Sequence, residues 1–232
     1  MNISLSNLMR IKIYLFSILF LTLTQVVVAQ QGKTKKIFHL AVKTVRFNGD
    51  GASGEAYLFK PSVEVGFGLQ FPINKHWSFN PELNLAQRGH HGKASYTDST
   101  YSERTITLNY LDFNPNFEFT LGNASEFSSN VSVWGGPYLG VGLWDKTLVE
   151  NRIANPAKPG SYKTVTNSSE SFSSDFRRLD AGLKFGIGIV SKRFVSVGVT
   201  YQTGFLNITE PPVKTYNQSI GFYLRVFFDD MF

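Results

Sequence analysis

Eight stretches of apolar–polar alternation run through this chain. The second face of each is built from glycine and isolated charges, and the connections between them alternate between short and long. Together these observations predict an all-β fold: an eight-stranded antiparallel up-and-down transmembrane β-barrel. A soluble sandwich also alternates, but its polar face meets water and is dense in Lys, Glu and Thr. A face of glycines and single charges suits a crowded, closed interior with lipid outside.

Composition agrees with an exported β protein. The 232 residues include 21 Phe, 10 Tyr and 20 Gly, with charged residues at only 17%. There is no cysteine, which excludes disulfides, thiolate metal sites and lipoprotein processing. Arg10 and Lys12 precede the apolar run Ile13–Val28, and Val27 and Ala29 form a small-residue cleavage motif before Gln30. This reads as a cleaved signal peptide over residues 1–29, cut between Ala29 and Gln30. A signal anchor is the alternative, although the run is short for a full helical span. Residues 30–36 form a short periplasmic lead-in, and residues 37–232 the barrel. The leader takes two of the 23 basic residues and no acid, so the net charge falls from +6 to +4. That mild excess suits anionic headgroups and has no clustered basic stripe for nucleic acid.

The strands follow in order. Ile37–Val45 is the first. In Phe59–Phe71, Val63, Val65, Phe67, Leu69 and Phe71 alternate with Glu64, Gly66, Gly68 and Gln70. Trp77–Arg88 sets Phe79, Leu83 and Leu85 against Glu82, Asn84, Ala86 and Arg88. Thr105–Leu121 sets Leu111, Phe113, Phe117 and Phe119 against Asp112, Asn114, Asn116 and Glu118. Asn130–Leu143, Phe176–Val190, Phe194–Leu206 and Gln218–Asp229 complete the set. These lengths suit tilted bilayer crossings. Pro72–His76, Gly122–Ser129 and Ser191–Arg193 are the shorter, periplasmic turns. Phe47–Leu58, Gly89–Arg104, Asp145–Asp175 and Asn207–Asn217 are long, polar and extracellular. Asp145–Asp175, the longest, contains Pro156, Pro159 and Gly160 and is expected to be mobile.

Aromatics on the lipid parity predict two girdles. Phe71, Trp77, Phe79, Phe119 and Phe228 fall near the periplasmic rim. Tyr57, Phe59, Phe205 and Phe222 fall near the other.

The ionisable residues on the inward parity are Lys43, Glu64, Glu82, Arg88, Asp112, Glu118, Asp180, Lys184 and Arg225. A Lys or Arg on the lipid face at the midplane would cost roughly 2–4 kcal/mol, whereas inside it can pair. Eight strands leave an interior just wide enough for side chains, so an ion-pair network that fills the lumen is expected over a solute path. Such a lumen denies substrate access to paired carboxylates, so catalysis is not expected. His90 and His91 lie in a predicted loop and read as solvent-exposed rather than metal-binding. No cofactor or metal site is expected.

Several segments resemble the outer-membrane β-barrel domain of exported Bacteroidota proteins, the porin-like or PorT-like group. They are "KPSVEVGFGLQFPINKHWSFNPELNLAQRG" (Lys60–Gly89), "LNYLDFNPNFEF" (Leu108–Phe119), "GGPYLGVGL" (Gly135–Leu143) and "LDAGLKFGIGI" (Leu179–Ile189). The family's Pro-Glu-Leu element and its basic residue followed by Gly correspond to Pro81–Leu83 and Arg88–Gly89. Its Leu-x-Tyr-Leu element and following Pro correspond to Leu108–Leu111 and Pro115. The resemblance covers most of the mature chain and implies an eight-stranded outer-membrane barrel; it implies little about activity. One departure is that Asp229–Phe232 extends beyond the closing aromatic, so the assembly machinery reads either Phe228 or Phe232 in the C-terminal strand.

The expected role is non-enzymatic: a monomeric structural or surface-interaction barrel whose loops meet a surface ligand or an envelope protein. The alternative is a narrow channel or an accessory barrel of a secretion or uptake complex. A lipid-modifying envelope enzyme ranks third.

Overall fold

The computed structural model describes residues 33–50, 56–57, 60–95, 97, 100–121, 129–169, 172, 176–191 and 194–228. The expected signal peptide with its Ala29–Gln30 cleavage site, Phe59 and Phe232 lie outside these residues.

Ten strands form one sheet: β1 (Lys35–Gly49), β2 (Ala56–Tyr57), β3 (Lys60–Pro72), β4 (Trp77–Ser95), β5 (Tyr101–Leu121), β6 (Ser129–Ala154), β7 (Tyr162–Ser169), β8 (Leu179–Ser191), β9 (Val195–Gly204) and β10 (Thr215–Phe228). Eight of them close a ring. Each long strand pairs antiparallel with its sequence neighbours, and β1 pairs with β10 in the register Lys36 to Phe228 through Gly49 to Thr215. Closure leaves no unpaired edge at bilayer depth, the condition that lets strands cross hydrocarbon. The two-residue β2 attaches to β4 and the eight-residue β7 to β6, both outside the ring.

Alternation sorts the wall. Outward residues such as Phe67, Leu83, Leu139, Ile187, Ile189 and Phe222 are between 52% and 73% exposed. A continuous apolar belt of this kind is a lipid surface rather than a water-facing one. The belt ends upward at a polar ring. Arg46 Nε donates to Gln218 Oε1 at 2.6 Å, and Gln218 Nε2 donates to Tyr201 Oη at 2.5 Å. Asn109 Nδ2 donates to the Trp144 carbonyl at 3.3 Å. At the other end Trp77 packs on Phe119 with ring centroids 4.9 Å apart, Phe79 on Phe117 at 5.0 Å and Phe71 on Phe79 at 6.5 Å. Phe228 is outward opposite Lys36, and Phe205 sits just past the end of β9, 58% exposed. Phe222 lies opposite Val42 and Val199, two lipid-facing positions below Gln218.

Two expected loops are strands instead. β4 and β5 remain paired from His90–Ile106 to Ser95–Tyr101, so Gly89–Arg104 is largely a hairpin. β6 runs on to Ala154 and returns as β7, so residues 147–169 of the expected loop are a paired hairpin. Past His90 and Thr147 the extensions stand beyond the belt, most of their residues on both faces are exposed or half-buried, and the polar–apolar contrast that marks a wall strand fades. Two irregularities hide the continuity. Gly89 has φ +131°, a conformation costly for residues with a Cβ. Leu143 is a one-residue bulge between the pairs Asn109–Trp144 and Tyr110–Gly142. Past that bulge Asp145 and Thr147 face inward.

Candidate functional site: the lumen and its outer mouth

The inward positions bring all nine expected charges into the barrel, each at most 2% exposed. They form three layers. Nearest the periplasmic end, Arg225 Nη2 pairs with Glu82 Oε1 at 2.7 Å, and Arg225 Nη1 lies 3.7 Å from Glu118 Oε2. Asn80 Nδ2 donates to Glu118 at 2.6 Å. The Arg225 guanidinium also sits 3.7 Å over the Trp134 ring. In the middle layer Glu64 receives Lys43 Nζ at 2.5 Å, Lys184 Nζ, and Asn84 Nδ2 at 2.8 Å. Toward the mouth Arg88 bridges Asp112 and Asp180, with Asp180 at 2.8 Å. Tyr138 Oη and Asn217 Nδ2 donate to the same Asp180 oxygen at 3.1 and 2.8 Å. The Arg88 guanidinium is sandwiched by Tyr110 and Tyr138, 4.5 and 4.6 Å from the ring centroids.

Pairing and hydrogen bonding are what make buried charge tolerable. Each of the four cations, Lys43, Arg88, Lys184 and Arg225, meets a carboxylate from a different strand. The pairs therefore tie the wall across its interior as well as around it.

His39 also belongs to this network. It is fully buried, with Nε2 3.3 Å from Glu64 and Nδ1 3.3 Å from Glu82, and so links the lower and middle layers. Its inward parity, shared with Lys43, was the available signal. Trp134 was likewise legible only as an inward position. It fills the lumen centre against Tyr223 (5.3 Å, edge-on) and His39 (6.3 Å, edge-on). A Cβ on Gly186 would lie 2.1 Å from the Trp134 indole, so the facing glycine makes room for the ring.

Above the charges the mouth is mainly apolar. Phe47, Ile106, Leu108, Tyr110, Phe172, Phe176 and Ile208 form one buried cluster. Phe172 and Phe176 come from the β6–β8 connection and Ile208 from the β9–β10 connection. A bridge between Phe176 and Thr209 joins the two connections, as does the bond from Arg177 N to Ile208 O at 2.7 Å. Phe172 N also donates to Asp145 Oδ1 at 3.2 Å. The expectation that His90 and His91 are solvent-exposed loop residues is corrected here. His90 is 2% exposed and stacks on Phe47 at 5.6 Å, and His91 Nδ1 lies 2.6 Å from Thr105 Oγ1. The physical reason is the continuation of β4, which carries His90 inward beyond Arg88. Among the described residues no three His, Asp or Glu side chains are grouped so as to hold a metal ion.

A family model described as "Outer membrane protein beta-barrel domain" matches residues 37–210. No curated protein sequence matches the chain. Among solved structures, Neisserial surface protein A aligns at 10% identity and TM-score 0.45, covering 85% of this chain and 100% of that one. Ail, the attachment invasion locus protein of Yersinia pestis, aligns at 9% identity and TM-score 0.40 with the same coverages. OprG from Pseudomonas aeruginosa aligns at 11% identity and TM-score 0.36, covering 85% and 98%.

Proposed function

The chain belongs to the outer membrane protein beta-barrel domain family, and from that premise we propose that it is a non-enzymatic, monomeric surface-interaction barrel working through its extracellular segments. It is an integral protein of the outer membrane. The observation that carries the proposal is the contrast between interior and exterior. The lumen is occupied by paired charges and the mouth by an apolar cluster, while β4–β7 project a polar sheet past the belt. Material available for recognition therefore lies outside. A filled lumen also argues against a solute path and against a catalytic pair with substrate access.

The finer assignment to the porin-like or PorT-like barrels of the Bacteroidota belongs to the same proposal. It rests on the order of the Pro81–Leu83, Arg88–Gly89 and Leu108–Pro115 elements. Assembly would proceed through the C-terminal strand, with Phe228 as the last outward aromatic of β10.

Purification from mild detergent tests the role. The surface-interaction reading expects a barrel free of stoichiometric periplasmic or inner-envelope subunits. Any captured surface ligand should be lost when residues 150–166, the tip of the β6–β7 hairpin, are replaced by a short turn. A stoichiometric envelope partner unaffected by that replacement would instead establish the accessory-barrel alternative.

A further inference from the structure

A cleft of about 700 Å³ opens beside the outer mouth, between the β6–β8 and β9–β10 connections. Phe172, Phe176, Leu179 and Leu206 supply apolar walls, and Arg177, Arg178 and Glu210 supply charge. Leu179 and Leu206 are 56% and 43% exposed although they stand at the upper limit of the lipid belt. Apolar side chains gathered in a concave site with a few convergent polar groups are the usual make-up of a small-ligand pocket, and the volume is in the usual range.

The charges define the ligand further. Arg177 is held by Glu210 through Nε at 3.2 Å and Nη2 at 3.3 Å, so that pair contributes no net charge. Arg178 is positioned by donating Nη1 to the carbonyls of Gly142 and Leu143 at 3.1 and 3.2 Å, and it lies 5.4 Å over the Phe172 ring. Among the described residues no carboxylate pairs with it. Among the described residues the cleft thus offers one cation without a carboxylate partner, pre-oriented at the edge of an apolar trough.

We propose that this cleft binds a single-chain amphipathic monoanion, with its alkyl chain against Leu179, Leu206 and Phe176 and its acid group on Arg178. The inference rests on the surface-interaction reading and names one ligand class for it. Guanidinium-to-carboxylate hydrogen bonds supply the orientation, and buried alkyl surface supplies the affinity.

The test uses the folded full barrel in phosphatidylcholine nanodiscs with methyl-labelled leucine. Octanoate is added from water, or oleate is carried in the bilayer, and the Leu179 and Leu206 methyl shifts are followed. The expected result is saturable shifts with either acid, and binding about tenfold weaker for octanol, which cannot accept the charge-assisted bond. Inorganic phosphate alone should give no shift. Arg178→Gln should weaken octanoate about tenfold while leaving octanol unchanged. Leu206→Ala, which spares the carbonyl contacts of Arg178, should weaken both ligands. The two acids distinguish delivery from water from delivery through the bilayer. Unsaturable shifts, equal affinity for octanol and octanoate, or Arg178→Gln and Leu206→Ala behaving as wild type would each overturn the site. None of these outcomes bears on the hairpin-replacement test above, so the two readings fail separately.

Discussion

The lower lumen and the outer mouth solve one problem, filling the inside of an eight-stranded barrel, by opposite chemistry. The lower lumen is filled by Arg, Lys, Glu and Asp that neutralise one another between strands. The mouth is filled by Phe, Ile, Leu and Tyr, three of them delivered by connections rather than by wall strands. The difference follows from what each filling must satisfy. Paired charges require fixed partners at fixed registers, which only the closed ladder provides. Apolar packing tolerates the looser geometry of a connection, since it is non-directional.

Breaking the charged half should cost most. Glu64→Leu leaves Lys43 and Lys184 facing each other without their shared carboxylate. Removing one partner of a buried pair typically costs about 3–5 kcal/mol. The folded, fast-migrating band on unboiled gels should be lost at a clearly lower temperature. Arg225→Leu, which strands Glu82 and Glu118, belongs in the same class. Unchanged heat resistance in both variants would mean that the network fills space without stabilising it.

Ile208→Ala tests the apolar half. Loss of a fully buried Ile side chain costs about 2–5 kcal/mol. Here the loss should be local: protease should cut the β9–β10 connection faster while the heat-modifiable band survives. Global loss of the barrel would show that mouth and lumen fold as one unit. Gly186→Ala should cost about 1–3 kcal/mol by driving a methyl into Trp134, again read from the folded band. Wild-type behaviour would mean that the ring has room to move.

The smallest effect belongs to the Arg177–Glu210 pair on the outer surface. The Arg177 guanidinium hydrogen-bonds Glu210 and holds its carboxyl below the ordinary carboxylate value. Its contribution is therefore present above that ordinary value and lost as pH falls through the lowered one. Both side chains are substantially exposed, so added salt should screen it. The expected readout is slightly faster proteolysis of the two joined connections at acid pH, and Glu210→Gln should abolish that pH dependence.

These contrasts also explain what the sequence made legible. Alternation assigns a residue to a face, so the wall strands and the inward parity of Lys43, Glu64 and Arg225 could be read directly. It does not assign height or partner. The meeting of Lys43 and Lys184 at Glu64 depends on barrel registers set by long-range pairing. His39 and Trp134 carry the inward parity, but only the closed structure shows that they stand between charges. The β4–β5 and β6–β7 extensions were hidden because, past His90 and Thr147, most of their residues are wetted on both faces and the period-2 contrast fades. Phe172 and Ile208 had no periodic signal, and Phe176, which alternation reads as the first residue of a wall strand, instead stands before β8 and bridges to Thr209.

The central claim is that charge pairs below and the apolar cluster above close the lumen. Planar-bilayer recording of the purified, heat-modifiable barrel tests it most directly. A closed lumen predicts no large, steady conductance from the wild-type protein across a broad voltage range. Stable openings of porin size in that same preparation would contradict it.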